Sequence, residues 1–284
     1  MPPLLKIRSE RDQMSAIERR IADFLLENAH LLRDYSSQQL ADALKISQSS
    51  VVKFCQKLGF KGYPDLKYSV GEAVARNNGG EAVRSSRASK KNREAELAET
   101  LWQAKSRAEE ETRLINSQEK IEAVASTIDL APKVFLIGIG EDSVPAETFA
   151  MKLSLLGILA ISHSDPVLMT SSIAAARKGD VLLVFSEHGQ QPALHQISRQ
   201  FHERRGKVVS FTRHTANPLR THAEHSLLIS AHDQYPHIER LLYQCALLHL
   251  LDMIFVLLCD NGDDRLAQLS ANLERIEHML DPKP

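Results

Sequence analysis

Residues 36–61 read SSQQLADALKISQSSVVKFCQKLGFK, and the fold of the N-terminal part follows from them. Ser36 followed by Gln39 has the spacing of a capping box, and the helix it opens carries Leu40, Ala41 and Leu44 on one face. Ser47 can cap a second helix, in which Val51, Cys55 and Leu58 recur at i, i+4 and i+7, and Gly59 ends it. Two such helices form either an ordinary amphipathic pair in a bundle or a helix-turn-helix. The side left free fits the second, because hydroxyls and amides at a helix N-terminus reach base edges and phosphates while lysines neutralise phosphate charge. The residues placed against DNA on this reading are Ser37, Ser47, Gln48, Ser49, Ser50, Lys53, Gln56 and Lys57, with Lys61, Lys67 and Tyr68 extending the contact along the backbone. The turn wants a residue at positive φ, most often Gly, yet Lys45 stands there, at a cost of about 1–2 kcal/mol if that conformation is kept.

Upstream, a short helix spans about Pro3 to Asp12, and Ser15 with Glu18 forms a second capping box ahead of Ile17, Ile21, Phe24 and Leu25 on one stripe. Downstream, Pro64 sits where a helix can begin, and the helix continues to Arg76. Residues 77–93, NNGGEAVRSSRASKKNR, have no apolar period and read as a flexible basic linker, whose cations could also touch phosphates. The resulting plan is a helical bundle over residues 1–77, a linker over 78–93 and a second domain over 94–284.

Composition agrees. At 284 residues with 43 % hydrophobic content the chain can bury two cores. The net charge is −1, but residues 1–93 hold 17 Lys and Arg against 10 Asp and Glu, and the remainder 18 against 26. A basic front on an acidic back suits a DNA-binding module tethered to something that must not stick to DNA. Cys55, Cys245 and Cys259 lack CxxC spacing and read as buried thiols of a reducing compartment. The N-terminus has no apolar signal core, and Leu241–Leu258, the one stretch approaching a membrane span, contains Gln244, His249 and Asp252; a buried or dimer-forming helix suits it better, and the expected location is cytoplasmic.

The segments LLKIR at Leu4–Arg8, the helix from Ser15 to Asn28, SSQQLA, SQSSVVKF and QKLGFKGYPDLK follow one another in the order of a known family. Over roughly the first 77 residues the chain resembles the N-terminal domain of the RpiR/MurR family of bacterial sugar-phosphate-responsive transcription regulators.

After a bridging helix, Glu94 to Asn116 with Leu97, Leu101, Ala104 and Ala108 at helical spacing, and another from Glu119 to Ile128, strands and helices alternate. The strands are Lys133–Ile137, Ile158–Ser162, Val181–Phe185, Lys207–Phe211 and Ser226–Ile229; the helices are Val144–Leu156, Leu168–Arg177 and Pro192–Arg204. Such alternation means a doubly wound parallel α/β sheet, in which ligands bind at the carboxyl ends of the strands. There stand the loops GIGEDS and SEHGQQ, each opening a helix and so offering N–H groups to an anion. The candidate effector residues are Gly138, Gly140, Glu141, Asp142, Ser143, Ser186, Glu187, His188, Gly189 and Gln190. GxG without a third glycine or a ribose-binding acid argues against a dinucleotide, and no cofactor is expected.

VFLIGIG, KLSLLGI, GDVLLVFS, GKVVSFT and the following NPL resemble the SIS, or sugar isomerase, domain, a flavodoxin-type three-layer fold, over about Lys120 to Asp260. The resemblance implies a phosphosugar effector and a homo-dimer or homo-tetramer; two DNA-binding heads then imply a palindromic double-stranded operator. The chain departs from that pattern in its loops. Relatives that bind phosphosugars commonly have serine where Asp142 stands and a Ser-x-Ser/Thr-Gly loop where this chain has Ser186, Glu187, His188 and Gly189. Glu141, Asp142 and Glu187 put negative charge beside the expected phosphate, with His188 as the one nearby offset.

Eleven of the twelve histidines follow residue 160, His30 being the exception, and none falls in a metal-binding spacing. His222 and His225 read as surface histidines. His237 and Glu239 open the long helix Ile238–Leu258, apolar on nearly every face, either as an acid/base pair or as a helix-start charge pair. No catalytic set is complete. The reading is a non-enzymatic regulator sensing a sugar phosphate or related metabolite; the alternatives are a vestigial SIS domain serving as assembly scaffold, and a phosphosugar isomerase.

Overall fold

The two capping boxes form as their spacing requires. In the computed structural model, which describes residues 3–29, 32, 35–78, 90–214, 217–232, 236–260 and 263–281, Ser15 N donates to Glu18 Oε2 at 2.7 Å and Glu18 N to Ser15 Oγ at 3.4 Å. Ser36 N donates likewise to Gln39 Oε1 at 2.8 Å and Gln39 N to Ser36 Oγ at 3.2 Å. The chain divides into two compact units, Met1–Thr100 and Leu101–Pro284.

The first unit comprises α1 (Pro3–Glu10), a 3-10 turn (Arg11–Gln13), α2 (Ala16–Glu27), α3 (Ser37–Ala43), α4 (Gln48–Lys57) and α5 (Tyr63–Asn78). Ile7, Ile21, Leu25, Leu40, Ala41, Val51, Phe54, Cys55, Leu58, Leu66 and Val70 close its core. Phe54, absent from the i, i+4, i+7 pattern, is as buried as its neighbours. Ile17 leaves the stripe assigned to it: it lies on the first turn of α2 and is 45 % exposed. Lys45 does take positive φ, +49°, and Gly59 takes +79° beyond the end of α4.

Residues 79–89 of the assigned linker lie outside the described residues, whereas Asn78 belongs to α5 and 90–93 form the first turn of α6 (Lys90–Ile115). The unit division falls within α6. Ala104 and Ala108 are buried, but Leu97 is 62 % exposed, so the apolar seam of this helix is confined to its later turns.

In the second unit α7 (Gln118–Asp129) leads into β1 (Val134–Gly138), α8 (Ser143–Leu155), β2 (Ala160–His163), α9 (Pro166–Ile173), β3 (Val181–Phe185), α10 (Pro192–Glu203), β4 (Lys207–Arg213) and β5 (His225–Ile229). The strands pair in parallel in the order β2-β1-β3-β4-β5. Side chains alternate between two cores: Val134 and Leu136 face α7, α8 and α11 (Pro236–Asp260), while Phe135 and Ile137 face α9 and α10. The result is the three-layer doubly wound sheet the alternation implied. α9 stops at Ile173, short of the Arg177 expected.

The long apolar helix α11 is not the last: α12 (Asp263–Leu280) follows and packs on α8 and α11. Among the described residues α11 is the one helix long and apolar enough to cross a membrane. Its Leu242, Tyr243, Ala246, Leu247, Leu250, Leu251, Ile254 and Leu258 are instead core of the second unit. Its apolar surface is not covered all round within the chain, since Leu241, Leu248 and Val256 remain 42–63 % exposed.

Candidate DNA-binding and effector sites

On the first unit, α4 presents Gln48, Ser49, Lys53, Gln56 and Lys57 outward, as the spacing required. The polar groups at its N-terminus are already ordered. Ser47 Oγ accepts from Ser50 N at 3.2 Å and lies within 2.9 Å of Ser49 Oγ and 2.8 Å of Ser50 Oγ, and Gln48 Nε2 donates to Ser37 Oγ at 2.9 Å. The lysines divide into two groups. Lys57 Nζ bonds Glu18 at 2.9 and 3.0 Å, a contact that, ahead of the Ser15 N–H, holds the Glu18 carboxyl below its usual pKa. Lys67 Nζ donates to Tyr35 O at 3.0 Å. Lys53 and Lys61 are exposed, and Tyr68 on α5 is 73 % exposed. Burial pushes the Cys55 thiol under α4 up to about 12, which marks it as packing.

In the second unit the strand order reverses between β1 and β3, the switch point at which doubly wound sheets bind ligands. Gly138 ends β1 opposite Phe185, the end of β3, so the two loops that follow rise side by side. A Cβ on Gly138 would stand 2.0 Å from Asp142 O, and Gly140 has φ +65°. The GIG sequence is therefore a tight turn that folds Asp142 back over the strand end. In the other loop Gly189 has φ +60°, and a Cβ there would lie 2.3 Å from Asn217 Oδ1.

Between the loops lies a cavity of about 400 Å³ lined by Glu141, Asp142, Ser186, Glu187, His188, Gln190, Gln191 and Arg240. Six of these are among the candidate effector residues; Gly138, Gly140, Ser143 and Gly189 shape the loops without lining it. Arg240 and Gln191 had escaped the sequence reading. Arg240 lies on α11, some fifty residues beyond the second loop, and no local spacing links it to either loop.

Arg240 changes the electrostatics inferred for the site. Its Nη1 bonds Asp142 Oδ1 at 3.0 Å and Glu187 Oε2 at 2.6 Å, and its Nε bonds Glu141 Oε2 at 2.7 Å. Arg213, at the end of β4, meets Glu187 Oε1 at 3.5 Å and Glu239 Oε2 at 3.0 Å. The acidic loop residues are thus held by guanidinium groups; His188, the offset expected, is 64 % exposed and 4.0 Å from Glu187. Burial works against the Arg240 charge, but Asp142, Glu187 and Glu141 outweigh it and raise its pKa above the ordinary arginine value. Burial, with Asp142 and Glu187 adding to it, also lifts the Tyr243 phenol, whose ring lies 5.3 Å from the Arg240 guanidinium. Glu239 is engaged by Arg213 and by His232 Nδ1 at 3.5 Å, which favours the charge-pair reading of this helix start over an acid/base role.

Among the described residues no group of three His, Cys, Asp or Glu side chains is placed to hold a metal ion. Cys245 and Cys259 are half-buried, not buried as expected; burial and a contact to Glu109 raise the Cys245 thiol to about 11.

Residues 1–77 match the helix-turn-helix domain of the rpiR family, and residues 128–254 match the SIS domain. An uncharacterised HTH-type transcriptional regulator of Escherichia coli, YfhH, is 32 % identical over 279 residues, covering 98 % of this chain and 97 % of that protein. The fold is similar to that of Vibrio vulnificus NanR, solved in complex with ManNAc-6P, with a TM-score of 0.61 at 20 % identity and 98 % coverage of both chains. The sugar isomerase domain of an RpiR transcription factor from Sphaerobacter thermophilus gives a TM-score of 0.55 at 18 % identity, covering 64 % of this chain and 98 % of that one.

Proposed function

The chain belongs to the rpiR family of helix-turn-helix transcriptional regulators that carry a SIS domain, and from that premise we propose that it senses a sugar phosphate or related sugar metabolite in the cavity walled by Asp142, Ser186 and Arg240. The observation that carries the reading is the position of that cavity: it opens at the β1/β3 switch point, where the sheet directs loop N–H groups and helix N-termini at a ligand. The NanR structure holding ManNAc-6P supports a phosphosugar as the class to test first.

Residues 1–77 would bind a double-stranded operator through the exposed face of α4, which carries Lys53, with Lys61 and Tyr68 extending the contact. Residues 94–284 would bind the effector and form a homo-dimer or homo-tetramer, and the exposed Leu241, Leu248 and Val256 of α11 supply apolar surface for that. Paired heads make the operator palindromic. Effector binding would shift the placement of the heads and change operator affinity by a coupling of about 1–3 kcal/mol. Such a regulator works in the cytoplasm, beside the chromosome. Glu239, tied to Arg213 and His232, supports binding over isomerisation.

The test is thermal stability of the full chain against phosphorylated sugars, sugar acids and their unphosphorylated counterparts, followed by operator binding with each compound that raises the melting point. A compound that does both supports the sensor. If no member of the panel changes either quantity, the SIS domain is an assembly scaffold, and the departures at Asp142, Glu187 and His188 are marks of a lost site.

A further inference from the structure

An oxyanion at the end of a parallel strand is held by loop N–H groups and a nearby cation. In this pocket part of such a set of donors is already taken by the chain itself. Asp142 reaches from the loop after β1 to the loop after β3, where its Oδ2 accepts from Glu187 N at 3.1 Å, and its Oδ1 accepts from Arg240 Nη1 at 3.0 Å. The Asp142 side chain is only 9 % exposed. Gly189 N, a second donor of the loop, is given to Ser186 Oγ at 3.1 Å. Two acceptors of the lining remain to be satisfied. Glu141 is 70 % exposed, and Gln191 Oε1 is buried with no hydrogen-bond partner, a state that costs about 1–3 kcal/mol until a donor arrives.

We propose that the Asp142 carboxylate is a resident anion occupying the oxyanion cradle of the effector pocket, so that the native pocket disfavours a phosphate group and selects a sugar-derived ligand through hydroxyl or ammonium donors directed at Gln191 and Glu141. The inference rests on the effector reading of this cavity and narrows it. A phosphate entering beside Asp142 and Glu187 meets two carboxylates a few ångströms away, and it gains the Glu187 N–H and the Arg240 Nη1 donors only by displacing Asp142 from both. With serine at position 142 those donors stand open.

The experiment is calorimetric titration of the full chain with inorganic phosphate at constant ionic strength, in wild type, Asp142→Ser and Asp142→Asn. Asp142→Ser is expected to bind phosphate at least about tenfold more tightly than wild type. Asp142→Asn keeps an acceptor for Glu187 N while removing the charge, and is expected to gain less; it also serves if the serine variant does not fold. Wild type binding phosphate as tightly as the variants overturns the proposal, as does the absence of any gain in both. The effector reading fails separately, when no sugar derivative alters operator binding, because phosphate affinity is measured here without operator.

Discussion

Asn116 closes its side-chain amide on the backbone of Leu228: Nδ2 donates to Leu228 O at 2.7 Å and Oδ1 accepts from Leu228 N at 3.0 Å. β5 is an edge strand, bonded to β4 alone, and Asn116 supplies what a neighbouring strand would. Two residues on, Ser230 N donates to Thr112 Oγ1 at 2.9 Å. The end of α6 is thereby fastened to the sheet.

Asn116→Ala removes both bonds and leaves two backbone groups of a buried strand without partners, so it should cost about 2–4 kcal/mol in urea unfolding. Asn116→Asp keeps the acceptor but sets an oxygen against Leu228 O, and should cost at least as much despite its similar shape. A loss below about 0.5 kcal/mol for both variants would mean that packing, not the amide clasp, holds α6 here.

Arg240 joins three carboxylates, and Arg240→Leu leaves them together without that cation. The expected loss is about 1–3 kcal/mol, moderated because the guanidinium keeps some solvent contact. Combining it with Asp142→Asn should recover part of the loss, and a double-mutant cycle measures the coupling. Strict additivity would show that Arg240 acts through Glu141 and Glu187 and not through Asp142.

The lysines of the first unit are predicted to differ in their salt dependence. Lys53 has no protein partner among the described residues, so Lys53→Ala should weaken operator binding and lower the slope of log affinity against log salt by about one. Lys57 must first leave Glu18, and its replacement should change that slope less. Equal slopes for wild type and Lys53→Ala would remove this lysine from the phosphate contacts.

Local signals carried the fold. Ser15, Ser36 and Ser47 cap helices where their spacing said they would, because a cap involves residues three apart, and β3 begins and ends on the residues its apolar run marked. Ile17 was misplaced because helical period alone does not define the angle at which a helix meets its core. α12 went unread because its exposed Leu266, Leu273 and Ile276 give a weak apolar stripe after the much stronger one of α11. The pocket divided the same way. Its two loops follow strands, where parallel sheets keep ligands, so Asp142, Ser186 and Glu187 were legible; Arg240 and Arg213 come from distant elements and meet the loops only in three dimensions. Their absence from the sequence reading made the acidic residues look uncompensated.

His225, at the start of β5, should make stability fall as pH drops. Burial, opposed by Glu224 and reinforced by the charges of Lys207 and Lys120, lowers its pKa below the ordinary 6.5. Half-buried Lys120 on α7 is itself held below its usual pKa, by burial first and then by Arg220, so this corner of the unit resists further positive charge. The folded chain therefore binds the His225 proton less readily than the unfolded chain. The stabilising contribution is present above pH 6.5 and is lost as pH falls from there through the lowered folded value. His225→Gln removes the proton acceptor and keeps a polar side chain of comparable size. Urea midpoints for the two proteins at pH 8.0 and 5.5, about one and a half units above and one unit below that reference, should show the variant gaining relative to wild type at the lower pH. A difference that does not change between the two values would mean that His225 titrates alike in the folded and unfolded chains, and that the Lys207 and Lys120 charges do not reach it.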